Sequence, residues 1–363
     1  MQKIATRKIP VAFLSLAPIA QAVEITKNLR AQGLNINNLV VLDNNPPPVN
    51  LDFNVVHVSQ AAQIFPQPEY IFVATYVDVN AALKFFPSSK VFDLDNINGN
   101  TNENYETFMA HLDDLQEVYE SLIDEESKKT FCGYWLGKIS NQLGKLVYAN
   151  TPQYICHGFI PERGAIVIDC GACDGGTALR FSQMGCEVYG FEMDRKNFEL
   201  AKKVAEENNF VVENLGLGSF KHEMTYTHVN GNIGASHLNA NGTDKTTITT
   251  LDSYVNEKNL PRVDFIKMDV EGAELDILKG ATTTIARYKP ILALSAYHKL
   301  DDFWTLMNFV KSVRPDYEFA MRHYPWSRED VPFMFQKGQE EFFYSLGLDV
   351  RIPVFVECVL FAR

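Results

Sequence analysis

Twice along this chain of 363 residues, short apolar runs of strand length alternate with stretches of helical periodicity, and that rhythm restricts the fold more than any other feature. Strands separated by helices pair in parallel, because a crossover returns the chain to the same edge of the sheet. The first series predicts strands at 11–16, 39–42, 70–75 and 91–92, with helices at 21–29 and 81–86 and a proline-rich loop at 43–50. A second, longer series predicts strands at Ile166–Cys170, 188–191, 210–213, 263–268 and 291–297, with helices starting at Thr177, Asn197 and Ala273. Two last apolar runs, 317–321 and 353–361, have no helix between them and predict an antiparallel pair at the sheet edge. The expected class is α/β: a small α/β domain at 1–97, a helical linker region at 98–157, and a Rossmann-like domain at 158–363 with a mostly parallel sheet.

In the linker, Phe108, Leu112, Leu115, Tyr119 and Leu122 recur at spacings of four and three, which predicts one helix with a single apolar face. That face would dock between the domains or make a homodimer contact. A second helix is expected over 134–148. Apolar residues at 46% suffice for a sizeable core. The net charge of −12, from 33 basic and 45 acidic residues, weighs against nucleic-acid and anionic-membrane partners. No run of about 18 apolar residues exists for a membrane span. The basic N-terminal residues precede no secretory h-region, and the six scattered cysteines read as reduced thiols, so a cytoplasmic location is expected.

Chemistry concentrates at three places. Val167-Ile168-Asp169-Cys170-Gly171-Ala172-Cys173-Asp174-Gly175-Gly176-Thr177 is a strand entering a glycine-rich turn and a helix, in which Gly171 and Gly175 would let a ligand press against backbone. The next strand ends in Glu192, 21 residues after Gly171, near the offset at which dinucleotide folds bind ribose hydroxyls. Asn214, past the third strand, lies along the same sheet mouth and reads as a base contact or a turn residue. The turn carries Asp169 and Asp174, whose charges oppose a diphosphate and suit a cationic sulfonium, so S-adenosylmethionine is favoured over NAD. A helix cap is the other reading of Asp174, and a solvated strand end the other reading of Glu192. The Cys170-x-x-Cys173 spacing has no second cysteine or histidine pair beside it and reads as packed thiols.

The third place is Val263-Asp264-Phe265-Ile266-Lys267-Met268-Asp269-Val270-Glu271-Gly272-Ala273-Glu274-Leu275. Lys267 and Asp269 project to one side near the carboxyl end of a strand, where open α/β sheets bind ligands, and Glu271 follows at the turn. An internal salt bridge orienting the turn is the alternative. With Thr250-Leu251-Asp252 before it and Leu278-Lys279-Gly280-Ala281 after it, this run resembles the FkbM family of S-adenosylmethionine-dependent methyltransferases. Ser295-Ala296-Tyr297-His298-Lys299, Asp301-Asp302-Phe303-Trp304, Arg322-His323-Tyr324 and Glu357-Cys358-Val359-Leu360-Phe361-Ala362 continue the likeness, which covers about 154–363.

The resemblance implies a class I methyltransferase fold and methyl transfer, usually to oxygen, on a sugar, glycan or related hydroxylated metabolite. Cofactor contacts are then expected from Asp169, Gly171, Ala172, Asp174, Gly175, Glu192, Asn214 and Asp269. His298, after a strand's carboxyl end, is the expected general base, with Asp269 as rival base and Lys267 in the same catalytic group. Glu271, Arg322 and His323 are expected to orient the acceptor, and no metal is assigned, although Asp269 and Glu271 offer carboxylates to a divalent cation. Two departures from the family pattern stand out: Cys173 in the turn, and a long aromatic stretch at 324–348 containing Trp326, Phe333, Phe335, Phe342 and Phe343, read as an acceptor lid or a surface loop. Ser15-Leu16-Ala17-Pro18 replaces a glycine turn in the N-terminal domain, pointing to recognition or assembly there. A non-catalytic sensor of S-adenosylmethionine or a nucleotide, and an NAD-dependent oxidoreductase, are the competing functions.

Overall fold

The N-terminal apolar runs form strands β1 (Val11–Ser15), β2 (Ile36–Val41), β3 (Asn54–His57), β4 (Tyr70–Ala74) and β5 (Lys90–Asp93), all parallel, in the order β3-β2-β1-β4-β5. The computed structural model describes residues 11–15, 19–31, 33, 35–41, 51–57, 60, 68–74, 86, 88–93, 101–140, 145–227, 237–238, 242, 244–325 and 356–363. Contacts divide the chain into two compact units, each discontinuous in sequence: Met1–Ala110 with Lys129–Tyr148 and His323–Glu357, and His111–Lys128 with Ala149–Arg322 and Cys358–Arg363. The expected linker region is therefore shared between them.

In the first unit, helix α1 (Ile19–Ala31) buries Ile19, Ala22, Val23 and Thr26 along one side, at helical spacing. The first three pack with Phe13, Ile36, Leu39, Val41 and Phe53. Strand β3 was not expected, because Asn54-Val55-Val56-His57 is half-buried and has no long apolar run. The loop at 43–50, the helix at 81–85 and the aromatic residues at 326–343 lie outside the described residues.

The expected single helix through Phe108 and Leu122 is instead two, α2 (Thr101–Ala110) and α3 (Leu112–Ser121), broken at His111. The break resets the phase of the apolar stripe. Leu115, Val118 and Leu122 are buried, whereas Leu112 and Tyr119 are exposed. Helix α4 (Glu125–Ser140) starts earlier than expected, with the Asp124 carboxylate accepting the Ser127 N–H at its N-terminus, and residues 146–149 are not helical.

The second unit is built on a seven-stranded sheet. Its strands are β6 (Ile166–Cys170), β7 (Glu187–Phe191), β8 (Val211–Glu213), β13 (Phe265–Met268), β14 (Ile291–Ser295), β15 (Phe319–His323) and β16 (Cys358–Ala362). Their order is β15-β16-β14-β13-β6-β7-β8. Strands β6, β13 and β14 are buried almost throughout, which is why they read as unbroken apolar runs. β16 runs antiparallel to β14. Glu318 and Arg363 exchange both backbone N–H···O bonds, the mark of an antiparallel ladder between the two last strands. The expected closing pair is thus present, with the antiparallel strand one position in from the edge.

Between β8 and β13 the chain inserts a second sheet, order β11-β10-β12-β9, from β9 (Gly216–Leu217), β10 (His222–Thr227), β11 (His237–Leu238) and β12 (Asp244–Thr249). Sequence reading missed it, because threonine-rich strands such as Asp244-Lys245-Thr246-Thr247-Ile248-Thr249 lack apolar density. Helices α5 (Gly176–Gln183), α6 (Arg195–Asn208), α7 (Leu251–Glu257), α8 (Glu274–Gly280), α9 (Thr282–Tyr288) and α10 (Asp302–Val313) complete the unit. Among the described residues no helix is long and apolar enough to cross a membrane.

From β6 the chain proceeds to β7 and β8 on one side, then returns to β13 and β14 on the other. The order reverses between β6 and β13, so the crevice outside their carboxyl ends is where a ligand of such a sheet binds.

Candidate active site

The turn after β6 is tied to β7 by backbone bonds, the N–H groups of Gly171 and Ala172 both donating to the Phe191 carbonyl at 3.0 and 2.9 Å. Gly171 has φ +80°, and a Cβ there would lie 1.9 Å from the Asp269 carbonyl oxygen. Gly175 has φ +90°, and its Cβ would press on Ala201 of α6 at 3.2 Å. A side chain at either position would thus meet the protein's own backbone, a constraint the sequence did not show, and Gly171 also lines the pocket in this crevice. Gly171→Ala should cost about 2–5 kcal/mol, combining left-handed strain with overpacking against Asp269. Urea unfolding checks this, and unchanged stability would refute the close approach.

Glu192 directly follows β7 with a buried carboxylate whose two oxygens accept the backbone N–H groups of Cys173 and Asp194, both at 2.8 Å. Burial pushes its pKa up to about 7 against those bonds. Asn214 donates its side-chain amide to the carbonyls of Glu192 (2.9 Å) and Met193 (3.2 Å), so it braces the same corner. Asp174 accepts the Gly176 N–H at 3.0 Å, a turn contact of the kind a helix-start residue makes. Ala172 is buried in the turn.

Lys267 and Asp169 form a buried pair, Nζ to Oδ1 2.9 Å, with side chains 3% and 0% exposed. Lys267 also donates to the Gly171 carbonyl at 2.6 Å. Burial opposes its charge, but Asp169, Asp269 and the hydrogen bond to Asp169 hold it protonated, its pKa above the usual lysine value. The structure corrects two expectations here. Asp169 presents no free charge to a ligand, and Lys267 points into the protein to fix the turn, which matches the internal salt bridge weighed as the alternative. Of the C-x-x-C thiols, Cys170 is buried and Cys173 half-buried, and burial pushes Cys173 up to about 12 and Cys170 higher still, leaving neither as a ready thiolate.

Asp269 sits at the switch point. Its Oδ2 accepts the Tyr154 hydroxyl at 2.6 Å and its Oδ1 accepts the Tyr297 hydroxyl at 3.2 Å. His298 Nε2 lies 3.5 Å from Asp269 Oδ1 and 3.9 Å from Glu271 Oε2, while Nδ1 lies 2.9 Å from Glu274 Oε1. Burial lowers the imidazole pKa, but the hydrogen bond to Glu274 and the charges of Glu274, Asp269 and Glu271 outweigh it and raise it to about 9. The ring is therefore a cation near neutral pH, which the sequence, expecting a value near 7, did not foresee. Asp269, Glu274 and His298 present ligand-type atoms within 4.8 Å of one another, and in this arrangement the ring is bracketed by the carboxylates.

A pocket of about 610 Å3, open mouth included, runs along this crevice. Phe191, Met193, Leu217, Ile248 and Ile277 give it an apolar wall, and Glu192, Asp269 and Glu271 line it with carboxylates. No lysine, arginine or histidine lines it among the described residues.

Arg322 and His323 do not join this group. Arg322, 9% exposed, pairs with Asp124 and Glu126 at 3.2 Å and donates to the Ser127 hydroxyl at 2.7 Å, fastening β15 to the start of α4. His323 is fully buried with Nε2 2.7 Å from the Val356 carbonyl. Their basic character was legible, but the internal partners that engage them lie far away in sequence. Conversely, Tyr154 and Glu274 were not singled out as site residues. Tyr154 adopts φ +63° in an irregular segment without a motif, and only the fold brings it to Asp269. Glu274 lay within the quoted motif, three residues beyond Glu271.

The sheet order and the crevice at its switch point define a Rossmann-like, mostly parallel α/β fold. Residues 169–327 match the family model described as the methyltransferase FkbM domain, the family that the sequence resembled. Methyltransferase FkbM from Methylobacillus flagellatus KT has a similar crystal structure, with 17% identity, a TM-score of 0.64, and coverage of 100% of this chain and 92% of that one, a likeness of fold. An rRNA methylase from Streptococcus thermophilus (13% identity, 57% of this chain and 91% of that one, TM-score 0.32) is more distant. So is a precorrin-6y C5,15-methyltransferase from Geobacter metallireducens GS-15 (12%, 60% and 93%, TM-score 0.33), and both overlaps are too weak to argue from. No curated protein matches the chain significantly in sequence.

Proposed function

We propose that the protein transfers a methyl group from S-adenosylmethionine to a hydroxyl oxygen of a sugar, glycan or related hydroxylated metabolite. The observation that carries this reading is the pocket lining: carboxylates and apolar groups at the switch point, with no cationic side chain among the described residues. Such a lining suits a sulfonium and an ammonium group and offers nothing to a diphosphate, which disfavours the NAD reading.

The residues present fit the donor. Glu192 would hold the ribose hydroxyls, since each carboxylate oxygen accepts one backbone N–H and has acceptor capacity left. Phe191, Met193, Leu217 and Ile248 would cover the adenine, and Asp269 or Glu271 would face the cationic end. When bound, S-adenosylmethionine supplies an electrophilic methyl carbon on a positively charged sulfur. The chain's own work is then to hold the acceptor oxygen in line and take its proton. His298, when neutral, would take that proton and later release it to solvent. Asp269 orients the ring and is itself held by Tyr154 and Tyr297.

Glu192→Ala should weaken donor binding by roughly 1.5–3 kcal/mol, or about 10- to 150-fold in Kd, through the lost charge-assisted contact. Calorimetry measures it, and an unchanged Kd would remove Glu192 from the site. The function itself is tested by incubating the protein with methyl-labelled S-adenosylmethionine and a panel of hydroxylated acceptors. Labelled ether product with S-adenosylhomocysteine supports it, whereas donor binding without turnover across the panel would favour a sensor.

A further inference from the structure

The crevice does not end at the first pocket. A second cavity of about 790 Å3, open mouth included, adjoins it, and the two share Leu217, Ile248, Val270, Glu271 and Ala273 as a common wall. The inserted sheet supplies much of the remaining lining, with Ser219 and Phe220 from the turn between β9 and β10, and His222 and Met224 from β10 itself. Helix α8 contributes Asp276.

Phe220 is 62% exposed, more than any other large apolar residue described. Its ring is nonetheless held in place. The Phe220 and His222 centroids are 4.3 Å apart with the rings 24° from parallel, and His222 Nδ1 donates to the Phe220 carbonyl at 3.1 Å. One face of the phenyl ring is therefore taken by the imidazole, and the exposure falls on the rest. An aromatic face carries a negative quadrupole, which attracts C–H bonds polarised by neighbouring oxygens, as on the apolar face of a sugar ring.

The charged groups lining the cavity are the carboxylates of Glu271 and Asp276, which accept hydrogen bonds and give none when ionised. No lysine or arginine lines it among the described residues. Lys279 pairs with Asp276 at 3.0 Å, and Lys299 donates to the Gly272 carbonyl. Such a lining suits hydroxyl donors and opposes a phosphate, sulfate or carboxylate. Glu271 belongs to both cavities and holds φ +54°, a left-handed backbone that a glutamate seldom adopts and that clusters at ligand sites.

We infer that this second cavity is the acceptor compartment, with Phe220 as the platform for the apolar face of a neutral sugar ring and Glu271 and Asp276 accepting from its hydroxyls. The inference rests on the reading that the first pocket takes the donor. It narrows the acceptor to an uncharged ring and excludes uronides and sugars carrying a phosphate at that ring.

The test uses the full-length protein and saturation-transfer NMR with neutral methyl hexopyranosides, the corresponding uronides, and catechol as a planar hydroxylated ring, each with and without S-adenosylhomocysteine. The neutral glycosides should receive saturation chiefly at the C–H protons of one ring face. Titration should show them bound at least about tenfold more tightly than the uronides, a margin that shrinks in Glu271→Gln. Phe220→Ala should weaken glycoside binding about three- to tenfold with the S-adenosylhomocysteine Kd unchanged, and Phe220→Trp should retain it. No glycoside signal, uronides or catechol bound as tightly as the neutral glycosides, or an unmoved glycoside affinity in Phe220→Ala would overturn the inference, and the first two results need no variant to fold. A protein that takes up no S-adenosylhomocysteine in calorimetry would instead defeat the donor reading, while the glycoside titration made without it still decides this one.

Discussion

His298→Ala is expected to lower turnover about 10²–10⁴-fold, the range for removing a general base, with donor affinity held. The ring is 8% exposed and sits beside Asp269, outside the lining of the donor pocket, so its loss should strike kcat more than donor binding. The pH dependence sharpens this. The folded-state pKa is raised to about 9 by the surrounding carboxylates, and a base works only when unprotonated. Thus kcat/KM should climb about tenfold per pH unit below that value and level off above it. In the donor complex the sulfonium charge disfavours a second cation, so the inflection in kcat should lie lower than that in kcat/KM. Activity that instead declines as pH rises through 9 would mean that the imidazolium is the working form and Asp269 the base.

Lys267→Met should be the most damaging substitution for the fold. It leaves Asp169 fully buried beneath the turn with no cation at 2.9 Å, and breaking a buried pair from one side costs about 3–5 kcal/mol. The double variant Asp169→Asn with Lys267→Met should recover most of that loss, because the stranded charge is gone. Urea denaturation of both variants decides it. Equal destabilisation in the single and double variants would show that the Lys267 contact to the Gly171 carbonyl, rather than the charge pair, carries the effect.

Both expectations concern residues that the sequence had marked, though for different work. Lys267 and Asp169 were conspicuous as charges at strand ends, but adjacency across β6 and β13 is a property of the sheet register, in which Lys267 stands opposite Asp169. That pairing turns two apparent ligand contacts into one internal support. Gly171 was conspicuous as a glycine, yet its reason is the Asp269 carbonyl nearly a hundred residues away. Arg322 was read toward the acceptor, whereas Asp124 and Glu126 engage it from about two hundred residues upstream.

The sequence by itself determined the alternation of strands and helices, the glycine turn, the acidic end of β7 and the charged end of β13. These are local: periodicity, backbone conformation and strand-end position are set by residues within a few places of one another. Only the tertiary structure decided which charges neutralise each other inside and which face the pocket. Those outcomes depend on distances between strands that the chain reaches through crossovers of many residues, and burial makes such pairings energetically decisive while leaving no trace in spacing.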